Sequence, residues 1–157
     1  DRVIGAGMTL TLTNSATDPE LWQTLTYSLL TAPAGAMIAS STGVFSWRPT
    51  LAQANTTNLV TVKVADNGSP SLTNASSFLV TVTPISAPQI NSAGATNGQF
   101  TLQVTGDGGP DYFIEASTNL IHWDTVFSTN SPGLPFDWAD LDPAQSASRF
   151  YRVRLGP

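Results

Sequence analysis

Glu115 is the residue that a hydrolytic mechanism would use first. Glycosidases need a pair of carboxyl groups, and this glutamate is the natural candidate acid. The alternation in Tyr112-Phe113-Ile114-Glu115-Ala116-Ser117 predicts a strand that turns the glutamate outward. An ion pair with Arg152 or Arg154, on the outward face of the last expected strand, would occupy Glu115 without any catalysis. Such an exposed pair contributes about 0–1 kcal/mol.

Nucleophilic and metal chemistry are limited by the residue counts. His122 is the one histidine, and the chain has no cysteine. A catalytic triad needs a nucleophile beside a histidine, and no Gly-x-Ser-x-Gly elbow is present. Two-histidine and thiolate metal sites are excluded. We therefore expect no catalytic residue, no enzymatic activity and no resident cofactor.

Three aspartates fall within eight residues near the end of the chain. They are Asp137, Asp140 and Asp142, in the run Phe136-Asp137-Trp138-Ala139-Asp140-Leu141-Asp142-Pro143. Alternation turns Asp137 away from its aromatic neighbours and leaves the other two in the following turn. Such a group could hold a cation, or it could be an ordinary solvated turn. The glycine-rich run 106–111 precedes a strand, so no phosphate-binding loop is predicted.

Exposed aromatic rings would indicate a carbohydrate site. Trp47, Trp123 and Trp138 fall on the apolar phase of expected strands and are predicted to lie in the core. Trp22 differs because it lies in the polar run Pro19-Glu20-Leu21-Trp22-Gln23. It is the candidate ligand-binding residue, for a neighbouring domain or a glycan.

The composition favours strands joined by turns. The 157 residues include 21 Thr, 16 Ser, 9 Asn, 12 Gly and 11 Pro, which are the residue types of strands and of the turns between them. A net charge of −5 argues against nucleic-acid binding. No apolar run approaches the roughly 20 residues that a membrane span needs. The fold class predicted is all-β.

Two sets of alternating runs predict two tandem β-sandwiches. The first set comprises 8–13, 25–29, 43–47, 59–65 and 78–82, and the second comprises 100–104, 112–117, 123–127, 136–138 and 150–155. Pro84 and Pro88 bracket a short, stiff connection. The predicted organisation is a domain at 1–84, a linker at 85–88 and a domain at 89–157.

Three runs of the first domain carry a family pattern: Leu25-Thr26-Tyr27-Ser28-Leu29, Ser41-Thr42-Gly43-Val44-Phe45-Ser46-Trp47-Arg48-Pro49 and Val64-Ala65-Asp66-Asn67-Gly68-Ser69-Pro70. In these runs the first domain resembles cadherin-like and putative Ig repeats of secreted bacterial proteins. In the second domain the pattern consists of Tyr112-Phe113-Ile114-Glu115-Ala116-Ser117, Trp123 and Arg149-Phe150-Tyr151-Arg152-Val153. There the chain resembles a fibronectin type III-like module found at the C-terminal end of large secreted bacterial proteins.

The cadherin resemblance implies a calcium site. Asp18 and Glu20 fill one acidic position of that pattern, and Asp66 fills the other. Calcium takes about six to eight oxygen ligands, so three carboxylates would need further ligands from an upstream segment. The alternative is that these acids cap turns through their side-chain oxygens.

Together these resemblances imply a non-catalytic structural, adhesion or display segment at the C-terminal end of a larger secreted or cell-surface protein. Its expected partners are preceding domains of the same chain, and polysaccharide or other surface proteins are further candidates. One alternative is a carbohydrate-binding accessory module of an extracellular polysaccharide-active enzyme, which several exposed aromatics in one groove would favour. Another is a subunit of an extracellular filament, built through threonine-rich edge strands such as residues 8–13.

Overall fold

Strands supply the regular structure of both halves of the chain. The computed structural model describes residues 1–20, 22–96, 99–141 and 148–156. They fall into two units, Asp1–Pro84 and Ile85–Pro157. Within this part of the chain the one helical element is the 3-10 turn Leu51–Gln53, and no helix is long and apolar enough to cross a membrane. The expectation of an all-β protein is confirmed.

The first unit has seven described strands in two sheets. One sheet has the order β1-β7-β6-β3, and the other has the order β2-β5-β4. The strands are β1 (Arg2–Gly5), β2 (Leu10–Thr13), β3 (Thr26–Thr31), β4 (Met37–Ile38), β5 (Val44–Trp47), β6 (Thr56–Ala65) and β7 (Thr73–Thr83).

Alternation along the two longest strands builds the core of the first unit. Val60 and Val62 on β6 are buried, and Val80 and Val82 on β7 face the same interior. The residues between them are mostly threonine and serine, which suit the outer face of a sheet. The buried core consists of Ala6, Tyr27, Phe45, Trp47, Val60, Val62, Val80 and Val82.

The first and last strands of this unit pair in parallel. The register joins Arg2 with Val80, Val3 with Thr81, Ile4 with Val82 and Gly5 with Thr83. The pairing continues beyond both ends of β1. The amide of Ala6 donates to the carbonyl of Thr83 at 3.0 Å, and the Asp1 carboxylate accepts the amide of Leu79 at 3.0 Å.

The second unit also has two described sheets, with the orders β12-β9-β8 and β11-β10-β13. Its core cluster contains Leu102, Val104, Tyr112 and Ile114. The strands are β8 (Gln89–Thr96), β9 (Gln99–Thr105), β10 (Asp111–Ser117), β11 (Asp124–Thr129), β12 (Phe136–Asp140) and β13 (Phe150–Gly156).

Several strand bounds differ from the sequence-based expectation. The expectation omitted β8, since its glycine, alanine, serine and asparagine residues give no apolar alternation. It also started β2 at residue 8, whereas the strand begins at Leu10. In both places the pairing with a neighbouring strand defines the element, and a single strand's sequence does not carry that information.

Replacing Ile114 with alanine tests the core of the second unit. Ile114 is 0% exposed and Ile121 is 76% exposed, so the two isoleucines form a matched pair within one unit. We expect Ile114→Ala to lower the free energy of unfolding by about 2–5 kcal/mol, because it leaves a cavity. Ile121→Ala should change it by no more than about 0.5 kcal/mol. Urea denaturation measures both, and equal effects would contradict this core.

Candidate functional site

The three acids of the predicted calcium site line one groove of about 560 Å³ in the first unit. Asp18 and Glu20 lie in the loop that follows β2, and Asp66 lies directly after β6. Leu25 and Leu72 add apolar surface to the same groove. The fold therefore brings the three carboxylates to one end of the sandwich.

Asp66 holds the turn between β6 and β7 together. Its Oδ1 atom accepts the backbone amides of Gly68 and Leu72, each at 2.9 Å. The hydrogen bond from Gly68 is the largest influence, and with those from Leu72 and the Ser71 side chain it lowers the pKa of Asp66 against a smaller opposing effect of desolvation. Asp66 therefore has a turn-capping role whether or not it also meets a cation.

The loop that carries the other two acids is fastened to the same turn. Oδ1 of Asp18 accepts the amide of Glu20 at 2.9 Å, and the amide of Thr24 donates to Oδ1 of Asn67 at 2.8 Å. Within the described chain, Oε1 of Gln23 is a buried acceptor that lacks a hydrogen-bond donor. That oxygen is the neutral candidate ligand for a cation beside the acids.

The side chains at this end of the sandwich do not by themselves supply a complete set of calcium ligands. Across the described ranges, no group of three or more histidine, aspartate or glutamate side chains could hold a metal ion. Three carboxylates and one amide oxygen also remain below the about six to eight oxygens that calcium takes. Calcium binding at Asp18, Glu20 and Asp66 stays a prediction, and it would require ligands from outside this groove.

Trp22 stands on the surface beside this groove's loop. Its side chain is 83% exposed, whereas Trp47 is 1% exposed. Trp138 packs against the core of the second unit. Trp123 does not join that core, although its position on an apolar phase predicted that it would.

Glu115 in the second unit is buried, where an exposed ion pair was expected. It is 6% exposed. Arg152 Nε donates to its Oε2 at 2.7 Å, and Arg154 Nε donates to its Oε1 at 2.9 Å. The hydrogen bond from Arg154 is the largest cause that lowers the pKa of Glu115, and Arg152 reinforces it against desolvation. The carboxylate is therefore engaged by two guanidinium groups and remains ionised.

Each of these arginines also stacks on an aromatic ring. The guanidinium carbon of Arg152 lies 4.2 Å from the ring centre of Trp123, and that of Arg154 lies 4.3 Å from the ring centre of Phe113. Trp123, Arg152, Glu115, Arg154 and Phe113 thus form one continuous stack on the outer face of β10 and β13, which we call the arginine ladder. The sequence predicted one ion pair here but not the two rings, because a cation–π contact leaves no signal in the alternation pattern.

Asp140 is a buried acid with a structural role. It ends strand β12, although a turn position was expected, and it accepts the hydroxyl of Tyr151 at 2.6 Å. Burial, together with that hydrogen bond, raises the pKa of Tyr151 to about 12. Asp137 accepts a hydrogen bond from a glutamine side chain of β9, and Asp142 lies outside the described residues.

His122 lies in the exposed loop that precedes β11. Its backbone amide donates to the side chain of Asn119 at 2.9 Å, as does the amide of Ile121. The loop is therefore an asparagine-capped turn. Glu115, the candidate acid, has both carboxylate oxygens occupied by arginines.

The comparison with protein families decides the class of the first unit. The model of a family described as "Putative Ig domain" matches residues 2–83. The chain belongs to the putative Ig domain family. The Ig-like part of the resemblance is confirmed for the first unit, which we now call the Ig-like unit. The cadherin-like and fibronectin type III-like resemblances stay predictions.

One similar solved structure is the CD2-binding domain of CD58 (lymphocyte function-associated antigen 3). It is 10% identical, the alignment covers 99% of this chain and 95% of that chain, and the TM-score is 0.30. A score that low carries no argument about this protein. A comparison with curated proteins gave no match.

Calcium titration tests the predicted metal site of the Ig-like unit. If Asp18, Glu20 and Asp66 bind calcium, adding calcium should raise the Tm of the wild-type protein. Millimolar calcium is the concentration to use, because extracellular calcium modules bind in roughly that range. Asp66→Asn should abolish the rise because it removes a charged ligand. A wild-type Tm that calcium leaves unchanged would eliminate the site.

The turn-capping role of Asp66 predicts a pH dependence. Its pKa is lower in the folded state than the ordinary value of 3.8, so its stabilising effect is present above about pH 4 and is lost as the pH falls through the folded pKa. Asp66→Asn should therefore lower the urea midpoint at pH 7, and its difference from the wild type should shrink as the pH falls below about 4. Glu20→Gln is the control, because the exposed Glu20 carboxylate accepts no hydrogen bond within the described chain. A midpoint difference that stays the same from pH 7 down to pH 2 would contradict the role of the charge.

Proposed function

We propose that the chain is a non-catalytic, load-bearing structural segment of a secreted or cell-surface protein, with adhesion or display as its purpose. The Ig-like family supports a structural or adhesion module. The load-bearing role rests on the parallel pairing of β1 with β7. Location outside the cell and attachment to preceding domains of the same chain are parts of this proposal.

Parallel pairing of the terminal strands resists force applied to the two ends of the Ig-like unit. Force enters at the start of β1 and leaves at the end of β7, and the two strands point the same way. Such a load slides one strand along the other, so the ladder's hydrogen bonds are strained together rather than one after another. The bonds that Asp1 and Ala6 make with β7 lengthen this ladder at both ends.

The use of the acidic side chains supports a role without catalysis. Asp18 and Asp66 cap turns, and Glu115 and Asp140 are hydrogen-bonded within the second unit. Catalytic acids and bases have pKa values tuned toward the working pH. The pKa values of Asp66 and Glu115 are instead shifted downward, which keeps both carboxylates charged.

A short connection between the units completes the proposal. Residues 84–88 carry no regular structure, and prolines stand at both ends of this stretch. The amide of Ser86 donates to the Asp107 carboxylate at 2.6 Å. We take residues 85–88 as the linker between domains at 1–84 and 89–157, with Ser86 already anchored to the second unit.

The second candidate function is an accessory module that binds carbohydrate. Trp22 favours it, because an 83% exposed indole can stack on a sugar ring. Trp47, the other tryptophan of the Ig-like unit, is 1% exposed, so Trp22 has no second exposed tryptophan beside it in the described part of this unit. One ring in one loop supports this function less than the terminal-strand pairing supports the structural one.

Pulling the full chain from its ends in a single-molecule force experiment tests the proposal. We expect two unfolding steps, and the step of the Ig-like unit, which releases roughly 300 Å of chain, should need the higher force. In the second unit the first and last strands, β8 and β13, belong to different described sheets and share no ladder.

A disulfide identifies the steps. The chain has no cysteine, and Val3 and Thr81 are register partners, so Val3→Cys/Thr81→Cys can be oxidised selectively. Oxidation should remove the long step, and reduction should restore it. A long step that comes at the lower force would contradict the load-bearing role.

A further inference from the structure

The arginine ladder concentrates positive charge on an acidic protein. The chain carries 11 acidic and 6 basic residues, and three of the basic residues fall within positions 149–154. In the ladder, two arginines share one carboxylate, so the stack keeps one positive charge that its own members do not balance. Because Glu115 is buried, the charge that faces water is that of the guanidinium groups.

The arginines are held in place yet remain accessible. The side chains of Arg152 and Arg154 are 49% and 48% exposed. In each, Nε donates a hydrogen bond to the Glu115 carboxylate and the guanidinium carbon lies over an aromatic ring. Glu115 is the one hydrogen-bond acceptor of Arg152 in the described chain, and the further bond of Arg154 is a 3.4 Å contact with the Leu155 carbonyl. Terminal nitrogens that are fixed in this way lose little side-chain entropy when they bind an anion.

The spacing of the two guanidinium groups suits a linear polyanion. Arg152 and Arg154 are two residues apart on β13, so they share one face and lie about 7 Å apart. β10 is hydrogen-bonded on both sides, to β11 and to β13. Side chains stand out of the plane of the sheet, so a ligand that contacts both guanidinium groups lies across this face, although β13 is itself an edge strand of the described sheet.

The donors of the ladder select the class of ligand. Arginine donates and never accepts hydrogen bonds, and the one acceptor in the stack is already used twice. A peptide lying on this face would bring backbone amides that find no acceptor in the ladder, and burying such donors is unfavourable. Carboxylate and sulfate oxygens of an acidic sugar accept from the guanidinium groups and bring no donor of their own, and the sugar hydroxyls, unlike backbone amides, can accept as well as donate.

We propose that Arg152 and Arg154 form a binding site for an acidic polysaccharide, with uronate carboxylates or sulfate groups bridging the two guanidinium groups. The site lies in the second unit and does not depend on the load-bearing role of the first. It would give the structural segment a means of adhesion to an anionic cell surface or matrix.

Affinity electrophoresis of the full chain in gels that contain polygalacturonate, chondroitin sulfate or neutral dextran tests the site. We expect retardation by at least one of the two acidic polymers at low salt, weaker retardation at high salt, and none by dextran. Arg152→Gln/Arg154→Gln should weaken binding by about tenfold or more, the effect of losing a charge-assisted hydrogen bond.

Arg2→Gln/Lys63→Gln is the matched control, because both double variants change the net charge by −2, from −5 to −7. This control should bind within about twofold of the wild type if the ladder is the site. Since the ladder variant leaves Glu115 without its arginines, a third variant, Glu115→Gln/Arg152→Gln/Arg154→Gln, removes the buried charge and should lose binding equally.

Three results would overturn the proposal. The first is no retardation of the wild type by either acidic polymer. The second is equal weakening in the ladder variant and the control, which would show only general charge repulsion. The third is tighter binding of polyglutamate than of either polysaccharide, which would assign the site to acidic peptides. The absence of polysaccharide binding would say nothing about the unfolding force of the Ig-like unit. The binding site and the load-bearing role can therefore be refuted independently of each other.

Discussion

The parallel pairing of β1 with β7 is the constraint on which the first unit depends. It joins the strand that opens the Ig-like unit to the strand that closes it, and Asp1 and Ala6 extend it beyond the ladder. Ile4 of β1 packs against the core to which β7 contributes Val80 and Val82, so detaching β1 would uncover the interior. A connection between the ends of a domain that also seals its core couples mechanical resistance to stability.

Each unit engages several of its few acidic groups in internal hydrogen bonds, and the two units do so in different ways. In the Ig-like unit, acids accept backbone amides at turns, as Asp66 does from Gly68 and Leu72. In the second unit, buried acids accept hydrogen bonds from side chains of another strand, as Glu115 does from two arginines. The first arrangement shapes a loop, whereas the second leaves guanidinium groups at the surface. The few charged groups therefore mainly stabilise turns and strand pairs. The arginine ladder is the described group of this kind that also presents positive charge to solvent.

The sequence predicted what period-2 alternation can carry and missed what depends on contacts between strands. Val60 and Val62 alternate with polar residues, so their burial was readable, and the outward direction of Glu115 was readable for the same reason. The burial of Glu115 was not, since it results from Arg152 and Arg154 on another strand. The direction of β1 relative to β7 was likewise unreadable, because a strand's residues do not record whether its partner runs parallel. The predicted calcium ligands do line one groove, but a count of acids cannot give the oxygen geometry that a metal needs.

The most direct test of load-bearing by β1 and β7 compares two pulling directions on the same unit. Cysteines at Asp1 and Pro84 load the parallel ladder in shear. Cysteines at Asp1 and Leu79, whose amide donates to the Asp1 carboxylate, pull on the two strands where their ladder begins and open it from that end. If the paired terminal strands bear the load, the unfolding force should be several-fold higher for the first pair. Equal forces in the two directions would contradict the account.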